Sequence, residues 1–280
     1  MTPSPSPNPL QDLRLLFTYP FMAHALAAGT LVALLGGAVG FYVVLRRQAF
    51  ASHTLSVMAF PGAAGAALAG LPLSLGYYLA CTAAALTLGA GRGGVRSRRI
   101  APGSDSALVG TVQVVGLGVG FLLLSLDQAV LGGPETLLFG SFLGITQGQV
   151  LGLAVVCAAA LAALAVLARP LLLASIDPEL ARAGGAPVAL LDTAFVAILG
   201  LAVAATSQIT GALLVLAVLV APAAGAQRLT ARPAAGLALS VCFALGIVWL
   251  WLAIAYFSVL PVGFCVTTPA LILYAVTRAA

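Results

Sequence analysis

The segment FMAHALAAGTLVALLGGAVGFYVVLRR, residues 21–47, decides the fold class of this chain. It runs from residue 21 to residue 45 without a formally charged side chain and then ends on Arg46 and Arg47. The hydrocarbon core of a bilayer is roughly 30 Å thick, and an α-helix needs about 20 mostly apolar residues to cross it. The segment is therefore predicted to be a membrane-spanning helix that ends in a basic turn.

The rest of the chain has the same character. Of its 280 residues, 62% are apolar and only 7% are charged, and the mean hydropathy is +1.14. Soluble domains carry about 25% charged residues. These values predict an all-α, polytopic bundle of transmembrane helices over residues 21–280, preceded by a partly disordered, proline-rich segment over residues 1–20. Apolar runs indicate eight or nine spans, near residues 21–45, 50–70, 73–91, 107–126, 149–168, 188–206, 209–226, 233–256 and 263–277.

The arginines predict the orientation of the bundle. All twelve basic residues are arginine, and all except Arg14 fall on one side of the predicted spans. Cytoplasmic loops carry an excess of basic residues, so this side is predicted to be cytoplasmic and residues 1–20 extracytoplasmic. The same rule accounts for the formal charge of +5, and no nucleic-acid partner is expected. The loop 127–148 lies outside in this topology, and its apolar part 137–145 is too short to cross, which predicts a re-entrant or interfacial helix.

Nucleotide-binding signatures are excluded by the residues themselves. A phosphate-binding P-loop requires a lysine, and the chain has none. The glycines at 116, 118 and 120 lie inside a predicted span with no preceding strand, so close packing of helices is the favoured interpretation, as it is for Gly36 and Gly40. The energy for any transport is therefore predicted to come from another subunit.

The most informative cytoplasmic stretch is LLLASIDPELARAGGAP, residues 171–187. Asp177 is suited to cap a helix that Pro178 opens at its first position, and the pair Gly184 and Gly185 is suited to end it after about two turns. A short helix near residues 176–187 is predicted. The residues alone leave two interpretations open, a docking element for a separate soluble motor and an ordinary interfacial helix.

Several stretches in the same order resemble one family over almost the whole chain, the ABC-3 permeases of zinc, manganese and iron ABC importers. They are YPFMAHALAAGTLVALLGGAVGFYVVLRRQAF, LSVMAFPGAA, LLFGSFLGIT, SIDPELARAGGAP and TGALLVLAVLVAPAAGAQRL. The resemblance implies a permease subunit of the ABC type II importer kind, in the cytoplasmic membrane, that is not an enzyme and holds no cofactor. It also implies three protein partners: an ABC ATPase that binds the ATP, an extracytoplasmic substrate-binding protein and a second permease copy.

The resemblance gives the cytoplasmic helix a role. In the family, the corresponding loop is the coupling helix that docks into a groove of the ATPase. The residues expected to couple to the ATPase here are Asp177, Pro178, Glu179, Arg182 and Gly185.

One departure from the family pattern concerns the cargo. Family members typically read LRRMAFLGDALSHAAFPG, in which Asp and His four residues apart face the pathway as metal ligands. This chain reads LRRQAFASHTLSVMAFPG over residues 45–62, so His53 stands at the Asp position and Val57 at the His position. A divalent metal such as zinc or manganese is still the cargo that the resemblance implies. The predicted pathway residues are Ser52, His53, Ser56 and Pro61, with His53 as a candidate metal ligand.

Other interpretations of these residues stay open at this point. His53 could instead be hydrogen-bonded between helices, and a diverged permease for a non-metal solute is the main alternative function. A self-contained secondary transporter would need intramembrane charges. Asp192 is the sole charged residue well inside a predicted span, and it is expected to be solvated or paired with Arg182 near the cytoplasmic face. An intramembrane hydrolase built on His53 and Ser56 lacks any nameable oxyanion donor.

Overall fold

The computed structural model describes residues 20–93, 104–126, 137–140, 144–257 and 262–279, with backbone alone for 90–93, 104–109, 257, 262–266 and 278–279. The predicted disorder of the N-terminal segment therefore lies outside the described residues. Within them the regular structure is entirely helical, which confirms the all-α prediction. The helices are α1 (Pro20–Leu45), α2 (Ala49–Leu68), α3 (Leu73–Gly93), α4 (Ser104–Leu126), α5 (Gln147–Ile176), α6 (Pro178–Ala183), α7 (Val188–Thr210), α8 (Val215–Leu229), α9 (Pro233–Phe257) and α10 (Val262–Ala279).

Each predicted apolar run overlaps one helix, except that the run 209–226 begins in the last two residues of α7 and continues into α8, which starts at Val215. Four helices of the described residues are long and apolar enough to cross a membrane by length and composition: α1, α5, α7 and α9. Shorter apolar stretches lie in α3, α4, α8 and α10. The chain is therefore a multi-helix membrane protein, while the number of eight or nine spans stays a prediction.

Helices α1 and α7 form the centre of the bundle. Buried residues make up 72% of the most apolar stretch of α1 and 61% of that of α7, against 22% for α5 and 33% for α9. Helix α1 packs against α5, α7, α8 and α9, whereas α2 packs against α3 and α4, and α3 against α7. The peripheral helices expose large apolar side chains such as Val155 and Val166, as expected for surfaces that face lipid rather than water.

Small residues let the central helices approach closely. A Cβ atom added to Gly40 of α1 would lie 2.8 Å from the carbonyl carbon of Leu219 in α8, and Gly36 faces Val218 one turn earlier. Gly116 and Gly120 of α4 similarly face Met58 and Phe60 of α2, whereas Gly118 faces open space. The prediction that these glycines serve helix packing is confirmed for all except Gly118.

The loop 127–148, for which the sequence predicts an external position, is described over residues 137–140 and 144–148. Residues 137–139 are helical and dock on the connection between α7 and α8, where the amide of Ala212 donates to the carbonyl of Leu137 at 3.3 Å. Gly140 and Gly211 meet at this point with φ angles of 79° and 77°, a backbone region that side chains rarely adopt. The described part of the predicted re-entrant or interfacial segment is thus held against the helix bundle by backbone contacts.

Candidate translocation cavity and coupling helix

A cavity of about 560 Å³ opens between α2, α8 and α10. Its wall is almost entirely apolar, and polar groups enter it from His53 of α2 and from Thr267 and Tyr274 of α10. The other lining residues share small or aliphatic side chains, apart from one phenylalanine: Ala49, Phe50, Leu216, Ala217, Val220, Ala221, Ala224, Ala270 and Leu271. The volume lies within the range of about 300–1,000 Å³ that is typical of small-molecule sites.

Of the side chains that line this cavity, His53 is the one best suited to bind a metal, because imidazole is a common metal ligand. It is half-buried, and its Nδ1 atom is buried without a hydrogen-bond partner among the described residues. Buried side-chain polar atoms are usually hydrogen-bonded, so an unpaired imidazole nitrogen beside a cavity needs an explanation. Within the described part of the chain no hydrogen bond across helices is made through Nδ1, and because this nitrogen has almost no exposed surface, a ligand in the cavity does not reach it in this arrangement.

The other predicted pathway residues lie elsewhere on α2. Ser52 and Ser56 are fully buried, and the Ser56 hydroxyl donates to the His53 carbonyl at 2.7 Å. That bond runs to the backbone and not to the imidazole, so the pair does not form a nucleophile and base. Pro61 lies beside Gly120 of α4. A pathway role for Ser52, Ser56 and Pro61 stays a prediction that this cavity does not include.

Val57, which stands at the family's histidine position, is also buried, with 1% of its surface exposed. No group of three or more His, Cys, Asp or Glu side chains suited to a metal ion occurs in the described part of the chain. Structural zinc sites take four ligands and catalytic ones three. One protomer therefore offers a single imidazole to a passing metal ion, and this arrangement suits transient contact better than tight binding.

The short helix α6, predicted to lie on the cytoplasmic side, has the predicted caps at both ends. Asp177 is its N-cap, and its carboxylate accepts from the amides of Glu179 at 3.0 Å and Leu180 at 2.9 Å. Pro178 occupies the first position. At the other end the amide of Ala186 donates to Ala181, with Gly185 at φ 81°. This is the Schellman arrangement, which ends a helix in a fixed direction.

Helix α6 and its C-terminal end expose residues that the sequence analysis expected to contact an ATPase. They also expose Leu180, which that analysis did not single out. Glu179, Arg182 and Gly185 are exposed, while Ala181 is buried against the bundle. Leu180 is 58% exposed, and the preceding Ile176 is 64% exposed. The sequence pattern did not single out Leu180 or the preceding Ile176, since a buried and an exposed apolar side chain look alike in a sequence. The exposed side chains of α6 thus include a leucine, a carboxylate and a guanidinium.

Asp192 does not pair with Arg182, which corrects that expectation. Its carboxylate forms an ion pair with Arg46 at the end of α1. The Arg46 guanidinium also donates to the Ser175 hydroxyl at 3.0 Å and stacks over the Phe195 ring at 5.2 Å. This contact joins residues 146 positions apart, which is why the sequence gave no local sign of it.

Comparisons with known proteins agree with these features. The model of the ABC 3 transport family matches residues 18–279. A relative named manganese transport system membrane protein MntC, from Halalkalibacterium halodurans, is 28% identical over 228 residues, which cover 81% of this chain and 76% of the relative. Another, named chelated iron transport system membrane protein YfeC, from Yersinia pestis, is 28% identical and covers 77% of this chain and 71% of the relative.

A solved structure is similar over nearly the full length. It is described as PsaBC from Streptococcus pneumoniae in complex with Fab. The TM-score is 0.83 at 25% sequence identity, and the alignment covers 96% of this chain and 95% of the other. The overall arrangement of helices is thus shared with a known fold.

Proposed function

Because the chain belongs to the ABC 3 transport family, we propose that it is the membrane-spanning permease of an importer for divalent metal ions of the zinc or manganese class. The permease is not an enzyme, and ATP binding and hydrolysis belong to a separate ATPase subunit. A bacterial importer of this kind resides in the cytoplasmic membrane. The observation that carries the proposal is the placement of His53 on the wall of the cavity between α2, α8 and α10.

The cargo follows from ligand chemistry and from the relatives. An imidazole suits zinc, whereas manganese prefers carboxylates, and the described cavity wall contains no carboxylate. The names of two relatives refer to manganese and to chelated iron. Zinc and manganese are therefore the ions to test first. Weak coordination by one imidazole per protomer favours passage, since a site that binds too tightly does not release its ion.

The coupling helix is the proposed contact with the ATPase. Leu180 supplies an exposed apolar anchor, and Glu179 and Arg182 supply charges beside it. Protein interfaces typically combine apolar and polar contacts of this kind. The caps at Asp177 and Gly185 hold the helix in a fixed orientation, so a push from the ATPase reaches α5 and α7 without loss in a flexible loop.

Transport then proceeds by alternating access. A second permease copy would complete the pathway beside the cavity, and an extracytoplasmic binding protein would deliver the ion to its outer end. ATP binding and hydrolysis favour different arrangements of the two coupling helices, and these arrangements differ in the affinity of the cavity for the ion. The direction of transport follows from that difference and not from any chemistry on the permease.

A second candidate cargo is a metal held in an organic chelate, or another shielded solute. The aliphatic character of the cavity wall favours it, because a bare divalent ion loses more hydration there than one His53 nitrogen replaces. A chelate carries its own ligands across such a surface. This candidate leaves the roles of α6 and of the partner subunits unchanged.

Copurification combined with uptake tests the proposed function. The tagged permease is purified from its native membrane, with Leu180→Arg as the variant that replaces the exposed apolar side chain of α6 by a charge. The wild-type chain is expected to bring down an ABC ATPase and to accumulate ⁶⁵Zn²⁺ or ⁵⁴Mn²⁺ in proteoliposomes only with ATP. Leu180→Arg should lose the ATPase. Uptake by the permease alone would identify a secondary transporter, and uptake of a chelate alone would select the second cargo.

A further inference from the structure

We propose that Arg46 is a positioning residue that ties the coupling helix α6 to the cavity helix α2. Through it, a displacement of α6 moves the part of the cavity wall that bears His53. The inference rests on the proposed function, because it takes α6 as the element that the ATPase moves and the cavity as the pathway. It adds a named mechanical link between the two.

One end of this link is the guanidinium group of Arg46. It donates to Ser175 at 3.0 Å in the last turn of α5, and it pairs with Asp192 in the first turns of α7. Helices α5 and α7 are the two flanks of α6, so one side chain contacts the chain just before and just after the coupling helix. The contact over the Phe195 ring fixes the guanidinium plane as well.

The Arg46 side chain is only 8% exposed, whereas that of Asp192 is 36% exposed, so the arginine end of this ion pair is buried and the carboxylate end is partly solvated. Exposed pairs contribute little and exchange partners freely. A mostly buried guanidinium with two partners on different helices has one favourable arrangement. Buried pairs are weak evidence for stability, but a role in setting the register between elements is well attested. The geometry therefore points to a role in holding α5 and α7 in fixed relation to α1.

The other end of the link is the turn between α1 and α2. The amide of Gln48 donates to Val43 at 2.8 Å, and that of Arg47 donates to Val44 at 3.0 Å. With Arg47 at φ 55°, this is again a Schellman arrangement, here without glycine. Helix α2 starts immediately afterwards, and the first cavity residues, Ala49 and Phe50, belong to its first turn. No flexible segment separates Arg46 from the cavity wall.

The experiment uses the full transporter with its ATPase in proteoliposomes. A variant without its native cysteines has Ala49→Cys as a reporter on the cavity wall. Its labelling rate by a maleimide is compared without nucleotide and with ATP plus vanadate, and ATP hydrolysis is measured in parallel. Arg46→Gln is expected to hydrolyse ATP and to lose the ATP-dependent change in labelling. Arg46→Lys, which keeps the charge but reaches a single partner, should retain part of the change. The exposed neighbour provides the matched control, so Arg47→Gln should behave as wild type.

The outcomes separate the inference from its premise. Arg46→Gln with normal hydrolysis and an unchanged labelling response overturns the inference alone. A wild-type complex whose labelling does not respond to ATP overturns the proposed function and the inference with it. If Arg46→Gln fails to assemble, Ser175→Ala decides, since it removes one of the two polar contacts and keeps the ion pair. A reduced response in Ser175→Ala supports the link, and a full response overturns it.

Discussion

Gly40→Ala tests the packing of the central helix α1 on the cavity helix α8. The added Cβ would lie 2.8 Å from the carbonyl carbon of Leu219 and 3.3 Å from the Leu219 Cα, and both of these atoms belong to the α8 backbone. Non-bonded carbon atoms prefer a separation of about 3.5–4.0 Å, so the two helices must separate by roughly 1 Å. No side chain can rotate away to relieve this contact, because the neighbouring atoms belong to the backbone.

The magnitude follows from two opposing terms. Overpacking of a close-packed site costs up to about 3 kcal/mol, while replacing glycine by alanine within a helix gains about 1 kcal/mol. The net loss of about 2 kcal/mol corresponds to a fall in Tm of roughly 4–8 °C for a domain of this size. Thermal unfolding of the detergent-solubilised protein, followed by intrinsic fluorescence, measures it.

Gly118→Ala is the matched control, because Gly118 lies in a helix and faces open space. It gains the same helix propensity without the contact, so its Tm should be equal to that of the wild type or higher. If Gly40→Ala proved as stable as Gly118→Ala, the close approach of α1 and α8 would be refuted.

Three further predictions concern the coupling helix and the external segment. Asp177→Ala removes the N-cap of α6 at a cost of about 1 kcal/mol. The affinity for the ATPase should therefore fall about fivefold in a binding titration. An unchanged affinity would mean that the cap does not hold the docking geometry. Gly185→Ala strains a residue at φ 81° and should weaken ATPase binding, whereas Gly184→Ala, at φ −77°, should not; equal effects would contradict the Schellman assignment. Gly140→Ala places a Cβ 2.6 Å from the Thr210 carbonyl carbon and should speed hydrogen exchange of the Ala212 amide. Gly144→Ala is the control, because a Cβ there meets no neighbouring atom of the described residues. The same exchange rate in both variants would refute the docking of residues 137–140 on the connection between α7 and α8.

Much of the fold was predictable from the sequence because membrane helices are specified locally. Every long helix contains most of a predicted apolar run, since a backbone in lipid must satisfy its hydrogen bonds within the segment. The coupling helix was predictable to the residue for a similar reason. Its cap at Asp177 and its termination at Gly185 depend on side chains within a few positions of each other.

The candidate site was predictable only in part, because it depends on which face each helix turns to its neighbours. The prediction placed His53, Ser52 and Ser56 together on one pathway, but packing against neighbouring helices buries the two serines. The ion pair between Arg46 and Asp192 is set entirely by tertiary structure, and Arg182 looked the better partner because it is nearer in sequence. The exposure of Leu180 likewise depends on the orientation of α6.

The most direct test of the permease account is ATP-driven uptake of ⁶⁵Zn²⁺ and ⁵⁴Mn²⁺ into proteoliposomes that contain the permease, its ATPase and its binding protein. The variants are His53→Ala, His24→Ala as the matched histidine control, and His53→Asp with Val57→His, which restores the family pair. The account predicts ATP-dependent uptake in the wild type, its loss in His53→Ala with ATPase assembly intact, and its retention in His24→Ala. Wild-type uptake that survives in His53→Ala, or metal uptake that appears only in the restored pair, would contradict it.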